Sequence, residues 1–228
     1  MLTTYDSPLT KGGLFYIYNK VFRTMKKING LPLYKATVNN DDDTGFWVVS
    51  LVDEPAVEVD FLAFDKKQVP LQFKVEDEEQ RMVLGVVMRP NYPMYRETEE
   101  GEGYYLEFDA KTIHSMTEKF FQRVNPNNVD TDHSFDLVDG VTLTQAFFKN
   151  EEKGINPVGF EDMPDDTLFF QYHITSDEIW EGVKDGTWKG FSLAGTFNIE
   201  PVEMSKKKEN VLEDINDMLD KIISKISR

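Results

Sequence analysis

Gly186-Thr187-Trp188-Lys189-Gly190-Phe191-Ser192-Leu193-Ala194-Gly195-Thr196-Phe197 decides how this chain is read. It follows a short helical pattern and has the character of a strand. Side chains alternate along a strand. Phe191, Leu193, Gly195, Phe197 and Ile199 therefore share one face, and Ser192, Ala194, Thr196 and Asn198 share the other. Ser192 is a small hydroxyl flanked by glycines, on the face away from the large apolar side chains. A rigid strand, close backbone approach and an accessible hydroxyl are what a nucleophile requires. A serine on the polar face of a strand is also commonplace, so the other residues have to decide between the two.

Working outward, the helical pattern before this strand starts at Ser176, a suitable cap, and runs through Ile179, Trp180 and Val183 to Gly186. Strands are expected at 31–38, 46–52, 61–64, 71–75, 82–88, 104–108, 141–148 and 168–174. Asp109 is placed to cap an amphipathic helix over 110–124, with Ile113, Met116, Phe120 and Val124 on one face, stopped at Pro126. After residue 204, Val211, Ile215, Met218, Leu219, Ile222, Ile223 and Ile226 form an apolar stripe with charges opposite. Many strands with few helices give an α+β, mainly β class. The expected architecture is a closed or partly open β-barrel flanked by helices. The expected organisation is an N-terminal extension (1–30), a barrel domain (31–203) and a C-terminal amphipathic helix or tail (204–228).

The bulk composition narrows function. At 40% hydrophobic and 13% aromatic residues the chain can build a core. Its 41 acidic against 25 basic residues, a net charge of −16, argue against nucleic acid and anionic membranes as partners. No apolar run has the length of a membrane span, and the first residues lack the apolar core of a signal peptide, so an intracellular, soluble protein is expected. The absence of cysteine removes disulfides, thiolate nucleophiles and cysteine-ligated zinc. Asp130, Asp132 and Ser134 alternate as in a calcium loop, but Phe135 and Val141 occupy the positions that would need Gly and Glu. No cofactor is expected.

Only His114, His133 and His173 can supply an imidazole base. They lack the helical pairing of a metal hydrolase. His114 reads as a surface residue of the amphipathic helix and His173 as a structural strand residue. His133 lies among acids in Val129-Asp130-Thr131-Asp132-His133-Ser134-Phe135-Asp136. It reads either as an exposed loop histidine or as a general base for a hydroxyl nucleophile.

Three passages favour the second reading. They are Val49-Ser50-Leu51-Val52-Asp53-Glu54-Pro55-Ala56-Val57-Glu58 with Phe61-Leu62-Ala63-Phe64; His133 with Gly140-Val141-Thr142-Leu143-Thr144-Gln145-Ala146-Phe147; and Asp177 to Gly186 running into Gly190-Phe191-Ser192-Leu193-Ala194-Gly195. Together they resemble the capsid-maturation (prohead) serine proteases of tailed phages, in particular a prophage-associated branch, over residues 31–200. Those proteases are similar to herpesvirus assembly proteases, which implies a β-barrel with surrounding helices. The resemblance implies Ser192 as nucleophile and His133 as base in an endopeptidase. Its substrates would be scaffold protein, capsid-protein propeptides and the protease itself, inside an immature capsid in the host cytoplasm. It also implies a third member on the strand after the histidine, where the matching residue is Gln145 rather than an acid. Gln145 reads equally as that member, hydrogen-bonded to His133, or as an edge glutamine bonded to backbone. Asp132, Asp136 and Glu200 are the alternative acids. The C-terminal stripe reads as a helix docked on its own barrel, as a self-association element giving a homo-oligomer, or as a tail that recruits the protease into the scaffold core. The competing reading of the whole chain is a protease-like fold without activity, acting as a capsid-core interaction protein.

Overall fold

The computed structural model describes residues 25–39, 43–53, 74–77, 80–98 and 100–204. The expected strand at 61–64 and the C-terminal helix lie outside them, as does most of the N-terminal extension. The chain divides into a compact unit of Leu33–Glu200 and a second unit made of Met1–Pro32 with Pro201–Arg228. In the second unit, β1 (Lys27–Ile28) pairs with the start of β2 (Leu31–Thr37) through a turn at Asn29 and Gly30, both with positive φ. The Lys26 amide donates to the Val202 carbonyl at 2.7 Å.

The larger unit is mainly β. Three sheets carry it. In the first, β2 pairs in parallel with β7 (Gly103–Glu107), which pairs antiparallel with β6 (Met94–Glu97). The second runs β4 (Lys74–Asp77), β5 (Met82–Met88), β10 (Leu168–Ile174), β9 (Val141–Phe148), antiparallel throughout. The third runs β11 (Gly190–Thr196), β3 (Gly45–Val52), β8 (Val129–Thr131). A last short strand, β12 (Asn198–Pro201), follows β11. Among the described residues the sheets do not close into a barrel. β8 lasts only three residues before the chain turns, so no further strand extends that ladder, and β9 ends its sheet with a largely exposed edge.

Two helices behave as their patterns dictate. In α1 (Ala110–Arg123), Asp109 Oδ1 accepts the Thr112 amide at 2.7 Å, and Ile113, Met116 and Phe120 are buried. In α2 (Asp177–Asp185), Ser176 caps the N-terminus, and Gly186 closes the C-terminus at φ 81°, a conformation that costs glycine little. Gly182 is required for another reason: a Cβ there would sit 2.5 Å from the Trp188 indole nitrogen. Trp180 is in the core, and Trp188 packs against it.

The core is continuous across the sheets. β3, β5 and β10 are buried along most of their length because both faces are covered, which explains their near-unbroken apolar sequences. Phe191 packs against Tyr172 at a tilt, with ring centroids 5.3 Å apart, which anchors one face of β11. The opposite face carries Ser192.

Candidate active site

The third sheet sets out a row of polar residues in otherwise apolar strands. In the antiparallel β3–β11 pair, Ser192 stands opposite Ser50; in the parallel β3–β8 pair, Ser50 stands opposite Asp130. Directly opposed residues point to the same side of a sheet. All three are buried, Ser50 and Asp130 completely.

His133 reaches this row from the turn that follows β8. The Ser134 amide donates to the Thr131 carbonyl at 3.0 Å, with Asp132 (φ 49°) and His133 (φ 55°) as the central residues. Positive φ at both centres is the requirement of a type I′ turn. Phe135, at φ 61°, continues the left-handed path. Each such non-glycine residue costs of order 1 kcal/mol or more, so the turn must be held by its surroundings. Three bonds hold it: the Asp132 amide to the Leu51 carbonyl (3.0 Å), the Val138 amide to the Val129 carbonyl (2.8 Å), and the Phe135 amide to Asp130 Oδ2 (2.7 Å).

The imidazole bridges two hydroxyls. His133 Nε2 lies 2.9 Å from Ser192 Oγ, and Nδ1 lies 2.9 Å from Ser50 Oγ. With Nδ1 protonated and donating to Ser50, Nε2 carries the lone pair that accepts the Ser192 hydroxyl proton. That is the geometry of a hydroxyl nucleophile with its general base, the base oriented by a third group. The third group is a neutral serine. The nearest carboxylate in the row, Asp130, has one oxygen on the Phe135 amide and the other, Oδ1, without a hydrogen-bond partner among the described residues.

The structure therefore brings Ser192 and His133 together and does not bring Gln145 to them. Gln145 lies on β9, opposite Gln171 in a different sheet, and its side chain is exposed. His133 spends its second nitrogen on Ser50 instead. Asp132, Asp136 and Glu200 are exposed, and the His133 ring nitrogens bond Ser50 and Ser192 instead. His114 stacks on Phe148 and bonds Asp166, and His173 sits in the β10 ladder. Ser192 departs from the alternation argument in one respect. It is only 3% exposed, because the face expected to be open is covered by the His133 turn. Ser50 was in view as a lone hydroxyl in Val48-Val49-Ser50-Leu51-Val52, a run that had to be buried. A buried hydroxyl needs a partner, and that was the signal available in the sequence.

A cavity of about 390 Å3 opens beside Ser192. Residues 191–195 form one wall, and Trp47, Tyr92, Tyr104 and Phe108 are among the others. Its shape depends on an irregularity in the β3–β11 ladder. Ala194 pairs with Val48 but Gly195 with Phe46, so Trp47 is the extra residue and turns toward the cavity. Gly195 allows this, since a Cβ there would lie 2.3 Å from the Gly45 carbonyl oxygen.

A serine, a histidine and a histidine-orienting hydroxyl around an apolar cleft define the class as serine-hydrolase-like. Comparison with known proteins makes the class more specific. The chain belongs to the family described as "Putative phage serine protease XkdF", whose model matches residues 68–200. It is similar to the phage-like element PBSX protein XkdF of Bacillus subtilis (strain 168), with 29% identity over 176 residues, covering 68% of this chain and 54% of that protein. The chain thus spans about half the length of the curated relative it matches. No solved structure matches it significantly.

Proposed function

We propose that the protein is a serine endopeptidase of phage head maturation, cleaving scaffold protein, capsid-protein propeptides and itself within the immature capsid. The observation that carries this reading is the bridging imidazole, 2.9 Å from each of two buried serine hydroxyls. His133 Nε2 takes the Ser192 proton as Oγ attacks the peptide carbonyl carbon. The protonated imidazole then gives that proton to the departing amine. Water, activated by the same nitrogen, releases the acyl group and restores Ser192. Ser50 holds the tautomer. Asp130, next in the row, supplies the negative charge that a neutral serine lacks once His133 becomes a cation; its Oδ1, without a hydrogen-bond partner among the described residues, supports this assignment.

The test is labelling with a serine-reactive fluorophosphonate followed by peptide mapping, together with co-expression of the scaffold and capsid proteins. Modification at Ser192, with processing lost in Ser192→Ala and His133→Ala, is the expected result. Absence of label at Ser192, with processing intact in both variants, would instead leave a protease-like fold acting as an interaction protein.

A further inference from the structure

The cavity beside Ser192 contains an unbalanced charge. Arg89, just past β5, and Arg96, on β6, both line it, and among the described residues no aspartate or glutamate does. Arg89 lies over the Tyr92 ring, 4.8 Å from its centroid. Arg96 donates one bond to the Tyr95 carbonyl at 2.8 Å and otherwise meets Met94 Sδ at 3.9 Å. Neither guanidinium pairs with a carboxylate among the described residues. Elsewhere Lys35, Arg81, Lys149, Lys184 and Lys189 pair with carboxylates, as a chain with 41 acidic side chains readily allows. Burial disfavours the charged form of Arg96, so its cation is desolvated without a compensating anion. A guanidinium presents five donors in a fork suited to a carboxylate, and these two leave most of theirs unused.

We infer that the cavity is the specificity pocket for the residue preceding the scissile bond, and that it selects an acidic side chain, glutamate or aspartate. Tyr92, Tyr104 and Phe108 would enclose the methylene stem while Arg89 and Arg96 bind the carboxylate. An apolar cavity of roughly 150 Å3 accommodates a benzene, so the space here readily accepts a glutamate side chain. This inference rests on Ser192 acting as the nucleophile, since Ser192 forms part of the cavity wall.

The experiment uses the full chain and peptides that differ only at the position before the cleaved bond: Glu, Gln, Phe or Lys. A charge-assisted hydrogen bond is worth about 1.5–3 kcal/mol, so kcat/KM for Glu should exceed that for Gln by roughly ten- to a hundred-fold. Arg89→Gln and Arg96→Gln should each reduce that ratio, and the double variant should bring it near unity. Equal kcat/KM for Glu and Gln in a protein that labels at Ser192 would overturn the pocket assignment and leave the protease reading intact. Binding of the uncleaved peptides to Ser192→Ala separates the two ideas from the other side. Preference for Glu there, without labelling of the parent protein, would leave a cleft that binds acidic side chains and overturn its assignment as the specificity pocket of a hydrolase. No preference in either assay would sink the pocket.

Discussion

Ser50 and Ser192 face each other across the β3–β11 ladder, and a single imidazole touches both hydroxyls. The two roles differ. In the proposed reaction Ser192 is the nucleophile, whereas Ser50 acts only through the tautomer and orientation of His133. Ser50→Ala should lower kcat roughly ten-fold, the worth of about one net hydrogen bond, and leave KM unchanged. The exposed His133 ring can replace the lost partner with water, so Tm should move little. A kcat equal to wild type would remove Ser50 from the site.

Asp130 has two jobs that two variants separate. Asp130→Ala deletes the acceptor for the Phe135 amide and loosens the strained turn. It should cost about 1–3 kcal/mol in denaturant unfolding together with activity. Asp130→Asn keeps an acceptor but removes the charge. Its kcat should fall about ten-fold, with a smaller loss of stability than in the alanine variant. Wild-type kcat in the asparagine variant would reduce Asp130 to a brace for the turn.

Gly195→Ala places a methyl group against the Gly45 carbonyl and the Phe46 backbone. Backbone cannot step aside as a flexible side chain can. The two strands must separate where Trp47 is turned out, three residues from the nucleophile. Overpacking of this kind costs about 1–3 kcal/mol, and kcat should fall with it. Unchanged unfolding curves would show that the ladder irregularity is softer than its geometry implies.

Asp109 gives the fold an acid-sensitive point. Burial opposes its ionisation, but the Lys35 ammonium and the Thr112 amide outweigh that and hold its pKa at about 2, below the ordinary 3.8. A depressed carboxylate stabilises the fold above its unfolded pKa, and that contribution is lost as pH falls through the folded one. Asp109→Ala should therefore lower stability by about 1 kcal/mol at neutral pH, as for other lost helix caps. The gap from wild type should close between pH 3.8 and about 2. A gap that persisted at the acid end would point to packing instead of charge.

Gln145→Ala should leave both kcat and stability near wild type, because the side chain is exposed in a sheet that does not hold Ser192, Ser50 or Asp130. A large loss of activity would mean that the His133 turn rearranges around substrate to reach it.

This contrast shows how far the residues could be read without coordinates. Strong periodicity placed α1, α2 and strands such as Met82–Met88 closely, since burial of an apolar face dictates them locally. Ser192 was singled out as a hydroxyl flanked by glycines and His133 as one of three histidines, and the resemblance paired them; the structure sets them 2.9 Å apart. Ser50 and Asp130 were not assigned, because their importance comes from register. Which residue faces Ser192 depends on pairing between strands some 140 positions apart, and a ladder shift of one residue would have presented Val49 or Leu51. Gln145 had an acceptable alternation pattern, yet alternation cannot say to which sheet a strand belongs. Ser192 was correctly placed opposite the large apolar face, but what covers that second face is set by the turn after β8.

Three members of the site are mounted in different ways. Ser192 and Ser50 are fixed by the same ladder, so their separation is as rigid as a sheet. His133 alone hangs from a left-handed turn whose residues are exposed. The site thus has two members set in a sheet and one carried by a turn. In the proposed reaction, a contact that displaced residues 132–135 would abolish the chemistry without touching Ser192.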